Sequence, residues 1–162
     1  MDTESVHFWN SERKAAALTA GLTPVQVITL ASIIEKETNR NSEKARIAGV
    51  YMNRLKKGWL LQADPTVVYA TGEFHMTRVL NQYKKIDSPY NTYKYRGLPP
   101  GPICIPSIAS IDAVLDYEKH DYMYFVARSD LSGYHVFSKT LREHNIHAKQ
   151  YRNAIKSSGN NS

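Results

Sequence analysis

The segment Thr23–Thr38, which reads TPVQVITLASIIEKET, constrains the fold of this chain more than any other. Thr23 is a good N-cap, Pro24 suits the first helical position, and Gln26 completes a Thr-x-x-Gln capping box. Apolar residues then recur at helical spacing on one face: Val27, Ile28, Leu30, Ala31 and Ile34. The pattern predicts an amphipathic helix that buries this face in the core of a domain.

Two glutamates lie near the end of this helix. At roughly 100° per residue, Glu35 falls beside Ala31 and Glu37 falls on the opposite flank beside Ile33, so they cannot both line one cleft. We expect Glu35, at the edge of the apolar face, to be partly desolvated, which would raise its pKa and suit it to donate a proton. The alternative is that both glutamates extend from a core helix into solvent.

The composition is that of one globular domain. The 162 residues are 42% hydrophobic and 22% charged, and no run approaches the roughly 18 apolar residues of a membrane span. No signal peptide is visible, so we expect an excised domain whose targeting segment lies elsewhere. The net charge of +6 favours anionic partners, but the basic residues are dispersed, which disfavours a nucleic-acid-binding domain.

Metal and redox chemistry have little support in the sequence. Cys104 is the single cysteine, which excludes an intramolecular disulfide and a cysteine-based metal site. His144 and His147 are three residues apart on one predicted helix, but no Glu or Cys stands at matching spacing. We therefore predict neither a metal nor a cofactor.

The remaining pattern predicts an α+β fold, a mostly helical single domain with a small antiparallel hairpin. A short helix begins with Asp64 as its cap and ends at Gly72. Residues 73–87 have no clear period and are expected to form a mobile, basic connection. The other predicted helices cover Phe8–Ala20, about Glu43–Lys57, a segment from Ser107 or Ser110 to Tyr117, and Thr140–Lys156, and the strands are Tyr122–Arg128 and Tyr134–Phe137.

The segment Ser88–Pro106, SPYNTYKYRGLPPGPICIP, is the second unusual stretch. Its prolines and glycines exclude regular structure and predict a stiff loop. Tyrosines alternate there with amide and hydroxyl side chains, which suits a sugar polymer, although the same residues could be turn residues packed on a core. We expect this rigid loop to lie beside the glutamate-bearing helix.

Together these stretches resemble the endolytic murein transglycosylases, the MltG/YceG-like family. The matching blocks occur in the family's order and cover nearly the whole chain: LASIIEKET at Leu30–Thr38, GVYMNRLKKGWLLQADPTVVYATG at Gly49–Gly72, SPYNTYKYRGLPPGP at Ser88–Pro102 and YFVARSDLSGYHVFSKTLREHN at Tyr124–Asn145.

The resemblance implies non-hydrolytic cleavage of the MurNAc-β-1,4-GlcNAc bond inside peptidoglycan strands, leaving 1,6-anhydroMurNAc ends and so terminating or trimming nascent strands. It assigns the catalytic role to Glu35, as general acid and then general base. Our own hypothesis is that Glu37 is structural or supports the catalytic residue without contacting the substrate. One carboxylate suffices because the substrate's own C6 hydroxyl attacks C1. The implied glycan-binding residues are Gln62, Asp64, Tyr90, Asn91, Thr92 and Tyr93, with Asn53, Arg54 and His135 as weaker candidates.

The resemblance also implies a domain organisation. Residues 1–156 would form the catalytic domain and residues 157–162 a disordered tail, while the family's membrane anchor and LysM-like region are not seen. The implied location is the extracytoplasmic face of the bacterial cytoplasmic membrane, with peptidoglycan strands as substrate and peptidoglycan synthases as expected partners.

Three alternatives from other classes stay open. A glycan-binding module would keep the cleft without turnover, and a hydrolytic muramidase would use Asp64 to activate water. A basic nucleic-acid-binding domain would show affinity that falls steeply with salt and does not depend on Glu35.

Overall fold

The structure, a computed structural model, describes residues 8–72 and 81–160. Between Ser11 and Asn160 the described residues form six α-helices and one two-stranded antiparallel sheet, which confirms the predicted mostly helical α+β class. The helices are α1 (Ser11–Ala20), α2 (Pro24–Glu37), α3 (Asn41–Lys56), α4 (Asp64–Thr71), α5 (Ile108–Leu115) and α6 (Leu141–Asn160), the strands are β1 (Tyr124–Ala127) and β2 (His135–Ser138), and Tyr83–Lys85 is a 3-10 turn.

Helix α2 is the central element of the core. The predicted capping box is present, since the Thr23 hydroxyl accepts from the Gln26 amide at 3.2 Å and the Gln26 side chain accepts from the Thr23 amide at 2.9 Å. Leu30 and Ile34 are completely buried against α3 and α5. Because the apolar face is fixed in this way, the two flanks of α2 face different surroundings.

Helix α3 connects the core to the hairpin through Arg54. This side chain is buried, and it donates from Nε to the Met123 carbonyl at 2.9 Å and from NH1 to the Leu61 carbonyl at 2.5 Å. Charge-assisted hydrogen bonds of this kind are stronger than neutral ones, and a planar guanidinium fixes their directions. Arg54 thereby fixes two segments against α3, the one that precedes α4 and the one that leads into β1.

The proline-rich loop at residues 88–106 contains no helix or strand, as predicted. Its aromatic end is held by two buried side chains. Asn91 donates to the carbonyls of Lys84 at 3.0 Å and Ile86 at 2.7 Å, and the Thr92 hydroxyl accepts from the Ala63 amide at 2.8 Å. These bonds fix the loop against the segment that precedes α4.

Several predicted boundaries differ from the structure. Helix α3 begins at Asn41 rather than about Glu43, and α6 continues to Asn160, four residues into the segment expected to be disordered. The prediction that Asp64 caps α4 is wrong, because Ala63 is the N-cap residue and the cap has no side-chain hydrogen bond. Residues 73–80 of the predicted mobile connection lie outside the described residues.

The hairpin is close to its prediction. Strand β1 pairs with β2 so that Phe125 lies opposite Phe137 and Ala127 opposite His135.

Within the described part of the chain, no single helix has the length and apolar character to cross a membrane. Helices α1 and α2, taken as a pair, have the length and apolar composition of a membrane span, but the chain bends by 80° between them.

Candidate active site

A cleft of about 410 Å³ opens beside the C-terminal end of α2. Its walls come from distant parts of the chain: the end of α2, the middle of α3, the segment before α4, the proline-rich loop, strand β1 and the start of α6. The residues that line it are Glu37, Tyr51, Arg54, Gln62, Asp64, Tyr93, Tyr124, Phe125, Val126, Leu141, His144 and Asn145.

The surroundings of Glu37 favour the protonated form of its carboxyl group. Burial of its carboxyl group, reinforced by the negative charge of Asp64, raises the pKa of Glu37 to about 7. The Tyr51 hydroxyl donates a 2.6 Å hydrogen bond to Glu37 Oε1, and Arg54 contributes a positive charge, but these two effects only partly oppose the shift. A carboxyl group with a pKa near 7 can both donate and accept a proton at neutral pH.

Asp64 and Tyr93 form the opposite wall. The Tyr93 hydroxyl donates a short hydrogen bond to the Asp64 carboxylate, and burial together with that negative charge raises the pKa of Tyr93. The neighbouring Gln62 has a φ of 52°, a conformation uncommon for a residue other than glycine. Its amide donates to the Thr92 carbonyl at 3.2 Å, which holds this turn against the loop.

Glu35 lies on the other flank of α2, outside the residues that line the cleft. Its Oε2 accepts from the Ser107 amide at 3.2 Å, from the Ser107 hydroxyl at 2.8 Å and from the Ser110 hydroxyl, with Lys44 Nζ at 3.3 Å. Although burial opposes ionisation, these partners lower the pKa of Glu35 to about 2. The expectation that the pKa of Glu35 is raised is therefore wrong, because the donors outweigh the desolvation.

The other predicted binding residues separate into two groups. Arg54, Gln62, Asp64 and Tyr93 line the cleft. The remaining ones have contacts inside the fold: Asn53 bonds the carbonyls of His120 and Tyr122, His135 pairs with Glu43 at 2.9 Å, Tyr90 packs on Tyr69 at 4.8 Å between ring centroids, and Asn91 and Thr92 are buried.

The sequence analysis missed other cleft residues. Tyr51 was assigned only to the apolar face of its helix, whereas its hydroxyl reaches Glu37. Tyr124 stacks on His144 with ring centroids 5.1 Å apart, and burial lowers the pKa of His144. A tyrosine on an apolar helical face is the signal that could have been used, because a buried phenol needs a partner for its hydroxyl.

Metal ligation has no support in the described residues, where no group of three or more His, Cys, Asp or Glu side chains is arranged to hold a metal ion. The residues that line the cleft supply one protonatable carboxyl group, a second carboxylate, and aromatic and hydrogen-bonding walls. Such walls are typical of sites that bind sugars.

Comparison with known proteins identifies the family of this chain. The sequence model of the YceG-like family matches residues 1–150. The endolytic murein transglycosylase of Bacillus subtilis (strain 168) is 49% identical over 126 residues, which are 78% of this chain and 34% of that protein. The endolytic murein transglycosylase of Streptococcus pneumoniae serotype 2 is 39% identical over 110 residues, 65% of this chain and 20% of that protein.

A solved structure has the same fold. The crystal structure of a putative yceG-like protein from Listeria monocytogenes superimposes with a TM-score of 0.78 at 42% identity, covering 88% of this chain and 46% of that one. The chain thus spans about a third of the length of the Bacillus subtilis relative and about a fifth of the Streptococcus pneumoniae one. On the family match and these identities, the chain belongs to the YceG-like family.

Proposed function

We propose that this chain is the catalytic domain of an endolytic peptidoglycan lytic transglycosylase, and that Glu37 is its general acid and base. The names of the two curated relatives support the activity. The observation that carries the residue assignment is the carboxyl group of Glu37, which lies in the cleft with its pKa raised to about 7.

The proposed reaction needs one carboxyl group and no water. Neutral Glu37 donates its proton to the glycosidic oxygen as the bond from C1 to that oxygen breaks, and the electron pair stays on the leaving GlcNAc hydroxyl. The C6 hydroxyl of the same MurNAc then bonds to C1, and its proton passes to the Glu37 carboxylate. Glu37 returns to its starting state, and the strand carries a 1,6-anhydro end.

Tyr51 and Asp64 would tune this cycle in opposite directions. The Tyr51 hydroxyl, 2.6 Å from Glu37 Oε1, stabilises the carboxylate that forms after proton donation. The negative charge of Asp64 favours the protonated form that begins the next cycle. The two effects together keep the proton affinity of Glu37 near neutrality, which is where acid–base catalysis is efficient.

The sequence analysis assigned this role to Glu35. A carboxyl group with a pKa of about 2 is ionised at neutral pH and is a poor proton donor. We therefore propose that Glu35 is structural, holding the end of α2 to the N-terminus of α5 through Ser107 and Ser110.

Hydrolysis is the second candidate reaction, and one observation favours it. Asp64 lines the same cleft as Glu37, so a second carboxylate is available to activate water. Against this, the Asp64 carboxylate already accepts the Tyr93 hydroxyl, which reduces its availability as a base. The end group of the product separates the two reactions.

We propose peptidoglycan strands as the substrate and, from the family resemblance, peptidoglycan synthases as partners at the extracytoplasmic face of the membrane. The chain spans about a third of the length of the Bacillus subtilis relative, so the substrate, the partners and the location are all proposals. The net charge of +6 is compatible with a polymer that carries anionic peptides.

The deciding experiment is mass spectrometry of peptidoglycan strands after incubation with the parent chain, Glu37→Gln and Glu35→Gln. We expect anhydro ends with the parent and with Glu35→Gln, and a loss of activity of about 10²–10⁴-fold with Glu37→Gln, as for removal of a general acid. Circular dichroism would verify that both variants are folded.

Each other outcome has a definite meaning. Reducing ends would indicate a hydrolase, and Asp64→Asn would then be examined. Loss of activity in folded Glu35→Gln with Glu37→Gln still active would restore the prediction made from the sequence. Absence of cleavage by the parent chain, with retained affinity for strands, would indicate a glycan-binding module.

A further inference from the structure

A second depression, of about 510 Å³, adjoins the cleft. It is lined by Gly58, Trp59, Leu60, Gln62, Lys94 and Arg96, none of which the sequence analysis assigned except Gln62. Gln62 lines both cavities, and its left-handed backbone sits at the point where the chain passes from one to the other. The two cavities are thus neighbouring parts of one surface.

An aromatic contact joins the cavities a second time. The Trp59 ring in the depression lies 6.0 Å, between centroids, from the Tyr124 ring in the cleft wall. Trp59 is 39% exposed, so part of its flat apolar face is open to a ligand. A molecule bound next to Glu37 can therefore extend past Gln62 onto Trp59 without leaving the protein surface.

The two cavities differ in charge. The cleft contains the carboxyl groups of Glu37 and Asp64 together with the guanidinium of Arg54, whereas the charged residues of the depression are Lys94 and Arg96, both cationic. The Lys94 ammonium lies 3.3 Å from the Asp87 carboxylate, which offsets part of its charge. Arg96 is exposed and, in the described ranges 8–72 and 81–160, has no carboxylate partner. The depression therefore has an uncompensated positive charge beside an apolar ring.

We propose that this depression is a subsite for the peptide stem that muramic acid carries through its lactyl ether, and that Arg96 and Lys94 bind a carboxylate of that stem. The proposal rests on the proposed function, because it takes the strand in the cleft to be peptidoglycan. Arg96 suits the role since a guanidinium binds a carboxylate through two parallel hydrogen bonds. Trp59 supplies an apolar surface for the uncharged part of the stem, and Gln62 can bond its amide groups.

The test compares two substrates and two double variants. The substrates are glycan strands that keep their peptide stems and the same strands after an amidase has removed them. The variant Lys94→Gln/Arg96→Gln removes the positive charge of the subsite. The matched control Lys149→Gln/Arg152→Gln removes one lysine and one arginine from exposed positions of α6, outside both cavities.

The measured quantity is the ratio of kcat/KM for stem-bearing strands to kcat/KM for stem-free strands. We expect the parent chain and the control to favour stem-bearing strands, and Lys94→Gln/Arg96→Gln to lower the ratio by about tenfold, as for loss of a charge-assisted hydrogen bond. The difference should shrink as salt is added, because these side chains are exposed. Equal ratios in all three proteins would overturn the proposal.

A binding measurement separates failure of the subsite from failure of the proposed function. Isothermal titration calorimetry would use a soluble GlcNAc–MurNAc disaccharide with a tripeptide stem and the same disaccharide without it. Stem-dependent affinity that Lys94→Gln/Arg96→Gln weakens, in a protein without turnover, would overturn the activity and support the subsite. Turnover without stem-dependent affinity would overturn the subsite alone. Equal affinity for the two disaccharides in a protein without turnover would overturn both.

Discussion

The two flanks of α2 carry the same residue type two positions apart and give it opposite properties. On one flank, the Glu35 carboxylate has three hydrogen bonds from Ser107 and Ser110 and an ammonium group nearby. On the other, Glu37 has one hydrogen bond from Tyr51 and a neighbouring negative charge from Asp64. One flank stabilises a charge, and the other holds a group that can gain and lose a proton.

The contrast between the two glutamates shows that a carboxyl group suits acid–base chemistry when few hydrogen-bond donors stabilise its ionised form. Desolvation acts on both glutamates and favours the neutral form of each. The number of donors decides the result, because each hydrogen bond to the carboxylate favours ionisation. A glutamate held by several donors is fixed in its ionised form, whereas one with a single hydrogen-bond donor can still gain and lose a proton.

The largest expected effect is the separation of the two pKa values. In a 13C NMR titration of the side-chain carboxyl groups, Glu37 should titrate at about 7 and Glu35 at about 2. The single variants Glu35→Gln and Glu37→Gln assign the two signals. Coincident titrations near the ordinary value of 4.5 would remove the basis for distinguishing the flanks.

The next effect is on stability. Glu35→Gln should lower the free energy of unfolding at pH 7 by about 1–3 kcal/mol, because the charge-assisted bonds to the serines are weakened. Since the pKa of Glu35 is lowered on folding, its contribution is present above pH 4.5 and is lost as the pH falls toward 2. The parent and variant should therefore converge in acid, as measured by urea unfolding.

The control for this comparison is Glu12→Gln, which removes a carboxylate from an exposed position of α1. An equal loss of stability in the control would show that net charge, rather than the contacts of Glu35, causes the effect.

A smaller change of opposite sign is expected for Glu37→Gln. Since the pKa of Glu37 is raised to about 7, ionising it destabilises the folded state, and this cost grows from pH 4.5 and is complete above pH 7. The neutral glutamine avoids it and can still accept from Tyr51, so the variant should be more stable by about 1–2 kcal/mol at pH 8. Thermal unfolding at pH 5 and pH 8 would measure the gain. A loss of stability at pH 8 would contradict the raised pKa of Glu37.

The smallest effects concern the pH profile. Asp64→Asn removes a charge that raises the pKa of Glu37, and Tyr51→Phe removes a hydrogen bond that lowers it. The alkaline limb of kcat/KM should therefore move down by about half to one pH unit in Asp64→Asn and up by a similar amount in Tyr51→Phe. Shifts in the same direction would indicate that the limb reports a group other than Glu37.

Much of the fold follows from local signals in the sequence. The capping box at Thr23, the left-handed glycines that end α1 and α4, and the cap of α5 by Ser107 each lie within a few residues of the helix they define. The end of α6 was missed because the polar terminus KSSGNNS, with its glycine and asparagines, resembles a disordered tail, whereas α6 continues to Asn160.

The site could be predicted only in part, for a physical reason. Helical geometry separates Glu35 from Glu37, but it cannot say which flank faces the cleft. That depends on Asp64 and Tyr93, which are far away in sequence and are joined by a hydrogen bond between side chains. The capping role expected for Asp64 failed for the same reason, because a tertiary partner took its carboxylate.

The two hydrogen bonds of Arg54 bear on when the cleft forms as the chain is synthesised and folds. One of them joins Arg54 to Met123, which lies 69 positions later in the sequence and directly before β1. Contacts between residues so distant are among the slower steps of folding, because a long loop must close first. A chain whose synthesis has stopped before Met123 has the glutamate of its proposed reaction but no cleft around it. For a protein proposed to cut the cell wall, activity would therefore begin only when almost the whole domain is complete.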